Sequence, residues 1–379
     1  MKYILQVFTG SWHDGHDRPE DIIRKIKEIS ARIPVDQVII GWNTDSSVYA
    51  ETGAFLREAG IGMLLWLPVF SEVNLAAETD GAEDLFGRTA GAPAGQEGES
   101  FVFDCPTSGR NIRAVKEMYE DYFSGCGFDG VFLDRIRTQS FAVGVSGVLS
   151  CGCARCRKAF RERGVDIDAV RKQYELKKDS FFDMRSCPPD GQFELEDPLA
   201  QRFFTAKEEI IAEAAADICG YFKAKGMTVG LDLFAPFVSR FVGQNYSLIT
   251  RNADFIKPML YRRTEAPAGI GYEYALFEKH APGARGREPL TMDKAFLETQ
   301  LEAVSRVSCR KYPGIEINYA ADIARTDAGY IRESLAAVRD HGFDGAVLSW
   351  NIMKAPEAHI LAVSDMEQQA EKDHGRGIV

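Results

Sequence analysis

The chain predicts an α/β protein of the (β/α)8 TIM barrel class, and three observations carry that prediction. Apolar runs of strand length alternate with amphipathic stretches of helix length eight times, the order of a parallel sheet with helical crossovers. The motif Gly127-Phe128-Asp129-Gly130 recurs as Gly342-Phe343-Asp344-Gly345 ahead of the fourth and eighth runs. These are corresponding positions in two half-barrels, and both need a helix stop followed by a tight lead-in to a strand. Finally, no glycine-rich phosphate loop follows any strand, which disfavours the alternative of an open doubly wound sheet.

Taken in order, residues 3–8 form the first strand, and a polar loop with Trp12 and His13 follows. Residues 19–32 read as an amphipathic helix, with Ile22, Ile26 and Ile29 at helical spacing. Strand two spans 35–42 and leads into Asn43; a helix over 46–59 is closed by Gly60. Strand three, 61–68, carries Trp66 near its end. Residues 71–100 are rich in Gly, Ala and Glu and read as a long excursion over the barrel mouth. A helix over 110–123 leads to strand four, where Val131, Phe132 and Leu133 run apolar without alternation, as a strand covered on both faces would. Asp134 and Arg135 come directly after that run. An insertion then extends to about Pro198, and a long helix over 199–225 stops at Gly226. Strand five (227–234) carries Asp232, and strand six (253–261) carries Lys257 and Tyr261. A helix over 292–307, strand seven (314–319) with Glu316 and Asn318, a helix over 327–340 and a last strand ending in Trp350 and Asn351 complete the pattern. The expectation is one barrel domain over 1–365, with extended βα loops as insertions at 71–108 and 136–198, and a C-terminal tail, 366–379, that frays.

Composition bounds the function. The 379 residues are 45% hydrophobic, enough for a substantial core, and the net charge of −11 offers no electrostatic footprint for nucleic acid or a membrane surface. No apolar run approaches a membrane span, and the first residues are too short and polar-flanked for a signal peptide, so a cytoplasmic location is expected. Eight cysteines then point to thiols or metal rather than disulfides. The sequence leaves room for a homo-oligomer.

Placing strand ends on a barrel collects Trp12, His13, Trp42, Asn43, Trp66, Asp134, Arg135, Asp232, Lys257, Tyr261, Glu316, Asn318, Trp350 and Asn351 at one rim, where barrel chemistry occurs. All four tryptophans belong to this set. Each alone suits a core; clustered beside carboxylates they suit a sugar, whose C–H faces stack on rings while its hydroxyls need partners. Asp232, an acid among apolar neighbours, must either meet a cation or do chemistry. Lys257 is its natural ion-pair partner, and alternatively a Schiff-base lysine. His13 and His16 around Asp14 fall short of a catalytic metal set. Cys151, Cys153 and Cys156 supply three thiolates of the four that a structural zinc takes, with Cys105, Cys126, Cys187 and Cys219 as candidates for the fourth.

Cys105-Pro106-Thr107-Ser108, followed by Arg110, Arg113 and a helix, resembles the stretch before strand four in the family 42 β-galactosidases of the glycoside hydrolases. Their Cys-x-Cys-x-x-Cys, running into Arg and Phe, is similar to Cys151-Gly152-Cys153-Ala154-Arg155-Cys156-Arg157-Lys158-Ala159-Phe160. The likeness covers about residues 101–162 and implies a structural Zn2+ with Cys105 as fourth ligand and no organic cofactor. The segment 257–261 and Leu348-Ser349-Trp350 resemble strands six and eight of chitinase-like family 18 barrels. The Asn-Glu that follows strand four in family 42 is replaced here by Asp134-Arg135, and the acid of family 18 falls at Ile136.

The expected function is therefore a glycoside hydrolase acting on an oligosaccharide or glycoside with paired carboxylates. Asp134 is cast as acid/base and Glu316 as nucleophile, with Asp232 as alternative to either. A catalytically inactive carbohydrate-binding barrel and a lyase or aldolase using Lys257 are the competing readings. The two insertions, 71–100 and 140–198, are expected to build the substrate cleft.

Overall fold

The computed structural model describes residues 1–10, 17–72, 78–89, 101–186, 191, 193–280 and 290–376. Eight parallel strands close on themselves: β1 (Lys2–Phe8), β2 (Val35–Gly41), β3 (Gly62–Pro68), β4 (Gly130–Asp134), β5 (Thr228–Phe234), β6 (Phe255–Met259), β7 (Gly314–Glu316) and β8 (Gly345–Ser349). Leu5 opposite Leu348 joins β1 to β8, and Gly314 opposite Met259 joins β7 to β6. The two-residue strand Arg310–Lys311 pairs with the start of β6, so the seventh stave is made in two pieces. Its break falls at Tyr312-Pro313, where proline has no N–H for the ladder.

The repeated Gly-Phe-Asp-Gly motif now has a physical explanation, residue by residue. Gly127 and Gly342 take left-handed φ of +73° and +68°; Gly342 directly follows the cap of the helix Ala328–Asp340, and Gly127 stands in the turn between the helix Gly109–Tyr122 and β4. The aspartates reach sideways: Asp129 accepts from the Met63 amide of β3, and Asp344 accepts from the Lys311 amide, each at 2.8–2.9 Å. The last glycines admit the neighbouring strand, since a Cβ on Gly130 would lie 2.3 Å from the Thr228 carbonyl oxygen and one on Gly345 2.1 Å from that of Lys2.

Helices surround the barrel where their apolar faces predict. Pro19–Ser30 begins with proline at its first turn, carries Glu20 and Asp21 where they favour the helix dipole, and buries Ile22, Ile26 and Ile29. The helix Pro198–Ala224 is capped by Asp197, which accepts from the Leu199 and Ala200 amides. Two elements differ from expectation. The β6–β7 connection holds an extra helix, Ile270–His280, whose sparse buried face of Ile270, Glu273 and Phe277 gives little apolar periodicity to read. The tail expected to fray from Met366 instead continues the helix Glu357–Arg376, tied to the barrel by the Tyr3 hydroxyl donating to Glu367 at 2.7 Å.

The insertion after β4 folds as two helices, Ala154–Glu162 and Ile167–Lys177, and a small antiparallel pair, Met184–Ser186 with Glu194–Leu195. It packs phenylalanines against Pro198–Ala224 and its neighbours: Phe160 stacks on Phe203 at 5.0 Å, and Phe141 meets Phe241 at 5.1 Å. Among the described residues no helix is long and apolar enough to cross a membrane.

Candidate active site

A cavity of about 750 Å³, counting its open mouth, lies at the C-terminal end of the barrel. Its polar wall is Gln6, Asp134, Arg135, Arg137, Asp232 and Lys257; its aromatic wall includes Trp66, Phe101, Tyr261 and Trp350. The β6 loop closes one side with Thr264 and Ala266–Ala268.

Register places the deepest polar pair. Asp232 of β5 lies directly opposite Lys257 of β6, so the two side chains share the interior face of adjacent strands. The Lys257 ammonium donates to Asp232 Oδ2 at 2.9 Å and to Gln6 Oε1 at 2.9 Å, and lies 5.5 Å from the ring centre of Phe132. Asp232 is 2% exposed, and its second oxygen, Oδ1, has no hydrogen-bond partner. Burial pushes its carboxyl up to about 7, against the pull of Lys257 and with the help of the Asp134 charge.

Asp134 ends β4 and is only half-buried. The Trp66 indole donates to its Oδ2 at 2.9 Å, and the Arg135 amide donates to its Oδ1 at 2.6 Å. Arg135 itself stands at φ +53°, a left-handed conformation that costs a non-glycine residue roughly 1–2 kcal/mol. The Arg135 side chain spans Trp42 and Phe101, at 4.6 and 4.8 Å from their ring centres, donates to Ser71 Oγ at 2.6 Å and meets Glu72 at 3.5 Å. The first residues of the strand-three excursion thus hold the arginine that shapes the turn.

The other rim residues divide. Trp42 is 1% exposed and sits behind the cavity, edge-on to Phe8 and Trp66. Asn43 exchanges two backbone bonds with the Tyr49 hydroxyl and accepts from the Asp45 amide, positioning the helix Ser46–Glu58 rather than lining the cavity. Asn318 accepts from the Trp350 amide at 3.1 Å, and Asn351 donates to the Phe8 carbonyl at 3.3 Å, so both support Trp350 from beneath. Tyr261 lines the cavity, and burial raises its hydroxyl well above the usual range. Trp12 and His13 lie outside the described residues.

Glu316 does not line the cavity. It is fully buried, its Oε1 accepts from the Arg263 amide at 2.7 Å, and burial pushes its carboxyl up to about 7. The β6 loop that supplies that amide also supplies the cavity wall at Thr264 and Ala266–Ala268. The carboxylates that share the cavity are Asp134 and Asp232.

The cysteines form a second, separate cluster. Cys105, Cys151, Cys153 and Cys156 are all buried, with their sulfurs within 4.8 Å of one another. Cys105 Sγ lies 3.4 Å from Cys153 Sγ and 3.5 Å from Cys156 Sγ. A tetrahedron with Zn–S of 2.3 Å sets sulfurs about 3.8 Å apart, so these spacings fit a metal. Cys153 also caps the helix Ala154–Glu162, accepting from the Cys156 amide, which fixes the last two cysteines in one turn. Of the other candidates for the fourth place, Cys126 and Cys219 are not in the cluster, and Cys187 lies outside the described residues.

Several cavity residues escaped the sequence reading, Gln6, Phe101 and Arg137 among them. Gln6 stands between Leu5 and Val7 on a strand, and a polar residue in that setting was a usable signal. Phe101 and Arg137 gave none, since both lie in irregular segments where no strand or helix period says which way a side chain faces.

No family model matches the chain, and no curated protein matches it by sequence. Among solved structures it resembles the PgaB (BpsB) glycoside hydrolase domain from Bordetella bronchiseptica, at 16% identity and a TM-score of 0.62 over 97% of this chain and 98% of that one. It also resembles α-L-fucosidase isoenzyme 2 from Paenibacillus thiaminolyticus, at 10% identity and 0.56, over 100% of this chain and 50% of that one. Catalytic domain 2 of the group II chitinase of Ostrinia furnacalis, in complex with a chito-oligosaccharide, matches at 11% and 0.50 over 97% of each chain. At such identities the likeness shows the shared barrel fold.

Proposed function

We propose that the protein is a glycoside hydrolase that cleaves an oligosaccharide with Asp134 and Asp232 as its paired carboxylates. One observation carries the reading: two carboxylates in opposed environments share one aromatic-walled cavity at the end of the barrel where barrel enzymes work. Asp232, deep and raised to about 7, supplies the proton to the leaving oxygen. Asp134, oriented by Trp66 and the Arg135 amide, attacks the sugar or activates water. Trp66, Trp350, Phe101 and Tyr261 provide faces for sugar rings. The glycoside-hydrolase barrels that share the fold add to the reading, without supplying the residues.

The Lys257 ammonium is tied to Asp232 and Gln6, whereas a Schiff-base lysine needs a free amine; this disfavours the lyase. Cys105, Cys151, Cys153 and Cys156 would hold a structural zinc. With all four positions filled by protein, no coordination place remains for water, so that ion would fold the chain rather than do chemistry. The deciding experiment measures reducing ends released from an oligosaccharide panel by the protein and by Asp134→Asn. Turnover lost in the variant with folding intact supports the assignment, and near-normal turnover sinks it. Binding without turnover in the parent protein would instead identify a carbohydrate-binding barrel.

A further inference from the structure

Arg137 is a cation with no carboxylate in direct contact, although the charges of Glu273, Asp134 and Asp232 reach it from farther away. It is 5% exposed and lines the cavity. Its guanidinium lies 4.6 Å from the ring centre of Phe103 and 4.3 Å from that of Phe234. Among the described residues its one hydrogen bond goes from Nη1 to the Thr138 carbonyl at 2.9 Å, its Nε has no partner, and no carboxylate lies within ion-pair distance.

A buried, unpaired guanidinium is costly unless something neutralises it. The nearby acids are committed elsewhere. Glu273 accepts from Ser140 Oγ at 2.8 Å and from the Ala268 amide at 3.2 Å. Asp134 holds Trp66 and the Arg135 amide, and Asp232 holds Lys257. The other two cations of the cavity are already paired, Arg135 with Glu72 and Lys257 with Asp232. Within the same cavity the Gln6 side-chain nitrogen Nε2 is a second buried donor without a partner.

We propose that Arg137 recognises the carboxylate of a uronic acid residue, which makes the substrate an acidic oligosaccharide. This rests on the glycoside-hydrolase reading of the same cavity. A guanidinium packed against two rings keeps its N–H groups for a polar partner, and their planar fork matches the two oxygens of a carboxylate better than an ammonium would. Contact with Phe103 and Phe234 and the bond to the Thr138 carbonyl restrain the guanidinium before the sugar arrives, which lowers the ordering cost of binding.

The test uses calorimetry on the full chain with oligogalacturonate, hyaluronan and alginate oligosaccharides, each beside its carboxyl-reduced neutral counterpart, together with chito-oligosaccharides and a sulfated oligosaccharide. We expect at least one uronate to bind about tenfold or more tighter than its reduced counterpart. That preference should shrink between about 50 and about 500 mM NaCl and disappear in Arg137→Met, with Arg137→Lys recovering only part of it. The matched parent-protein comparison needs no variant, so a misfolded substitution does not blunt it. Equal binding of reduced and unreduced pairs, binding confined to neutral, aminated or sulfated sugars, or no binding at all overturns the inference. Uronate binding without release of reducing ends would sink the hydrolase reading and leave this one standing. Release of reducing ends from neutral sugars alone would do the reverse.

Discussion

Around Cys105 four sulfurs face one another, and the surrounding chain is already spent on them: the Glu83 amide on Cys151, the Cys156 amide on Cys153, Thr107 on Cys105 and Cys156. At the barrel mouth, by contrast, Arg137 Nε, Gln6 Nε2 and Asp232 Oδ1 are buried with no partner. Both clusters carry the cost of buried polar groups. The first offers a closed ligand set that a single ion would complete; the second leaves polar atoms unmatched on residues that line a space the size of sugar rings. Groups left unmatched beside a cavity are where water or a ligand can supply the partner.

The largest effect that tests this contrast is on turnover. Asp134→Asn and Asp232→Asn should each lower kcat by about 10²–10⁴-fold on a cleaved oligosaccharide; thermal melting should stay close to the parent in Asp134→Asn and fall in Asp232→Asn, which leaves the buried Lys257 without its counter-charge. Equal activity in either variant would remove that residue from the mechanism. Next comes the cysteine cluster. Elemental analysis should find one zinc per chain in protein purified without chelator, and Cys105→Ser should lower Tm by roughly 10 °C or more or abolish folding. An unchanged Tm with no zinc would make the cysteines incidental. The contrast predicts that cysteine changes act through stability and mouth changes above all through activity.

The third prediction concerns pH. Asp232 is raised to about 7, and as the proton donor it works only while protonated. The rate kcat/KM should therefore hold below about pH 7 and fall roughly tenfold per unit above it. A profile measured from pH 5 to 9 that stays flat at its alkaline end would transfer the acid role to another group.

Much of the barrel was legible because each element carries its own periodicity and stop. Ile22, Ile26 and Ile29 mark a helix face, and the two Gly-Phe-Asp-Gly motifs mark strands four and eight. The site was partly legible for the same reason. Asp232, Lys257, Trp66 and Trp350 are polar or aromatic at strand ends, and the structure brings all four to one cavity. Arg137 was not legible, because nothing local separates an arginine sandwiched between Phe103 and Phe234 from one in solvent; those rings come from segments far away in sequence. Asn43 looked the same as a rim ligand because a helix-positioning asparagine and a sugar-binding one share a sequence context. The insertion 140–198 was expected over the mouth, yet none of its described residues lines the cavity; its phenylalanines find the flank of Pro198–Ala224 instead. A long loop after a strand shows where the chain leaves the barrel, not where it lands.

The smallest effect separates two carboxylates that the sequence presents alike. Asp232 and Glu316 both sit among apolar residues on β5 and β7, and burial raises both to about 7. Only Asp232 opens to the cavity; Glu316 gives its Oε1 to the Arg263 amide of the β6 loop. Glutamine can accept that bond as well, so Glu316→Gln should leave kcat within about tenfold of the parent, far from the loss expected at Asp134. Its signature lies in stability. Between the unfolded carboxyl value near 4.5 and the folded value near 7, the native state keeps a proton that the unfolded chain has released, so this group's contribution falls as pH rises through that window. Glu316→Gln removes that slope. The variant should gain on the parent in Tm from about pH 4.5 to about pH 7 and hold a constant difference above it. Chemical or thermal unfolding measured at several pH values reads this directly. A loss of turnover as large as that of Asp134→Asn, with the pH dependence of Tm unchanged, would return Glu316 to the role of nucleophile.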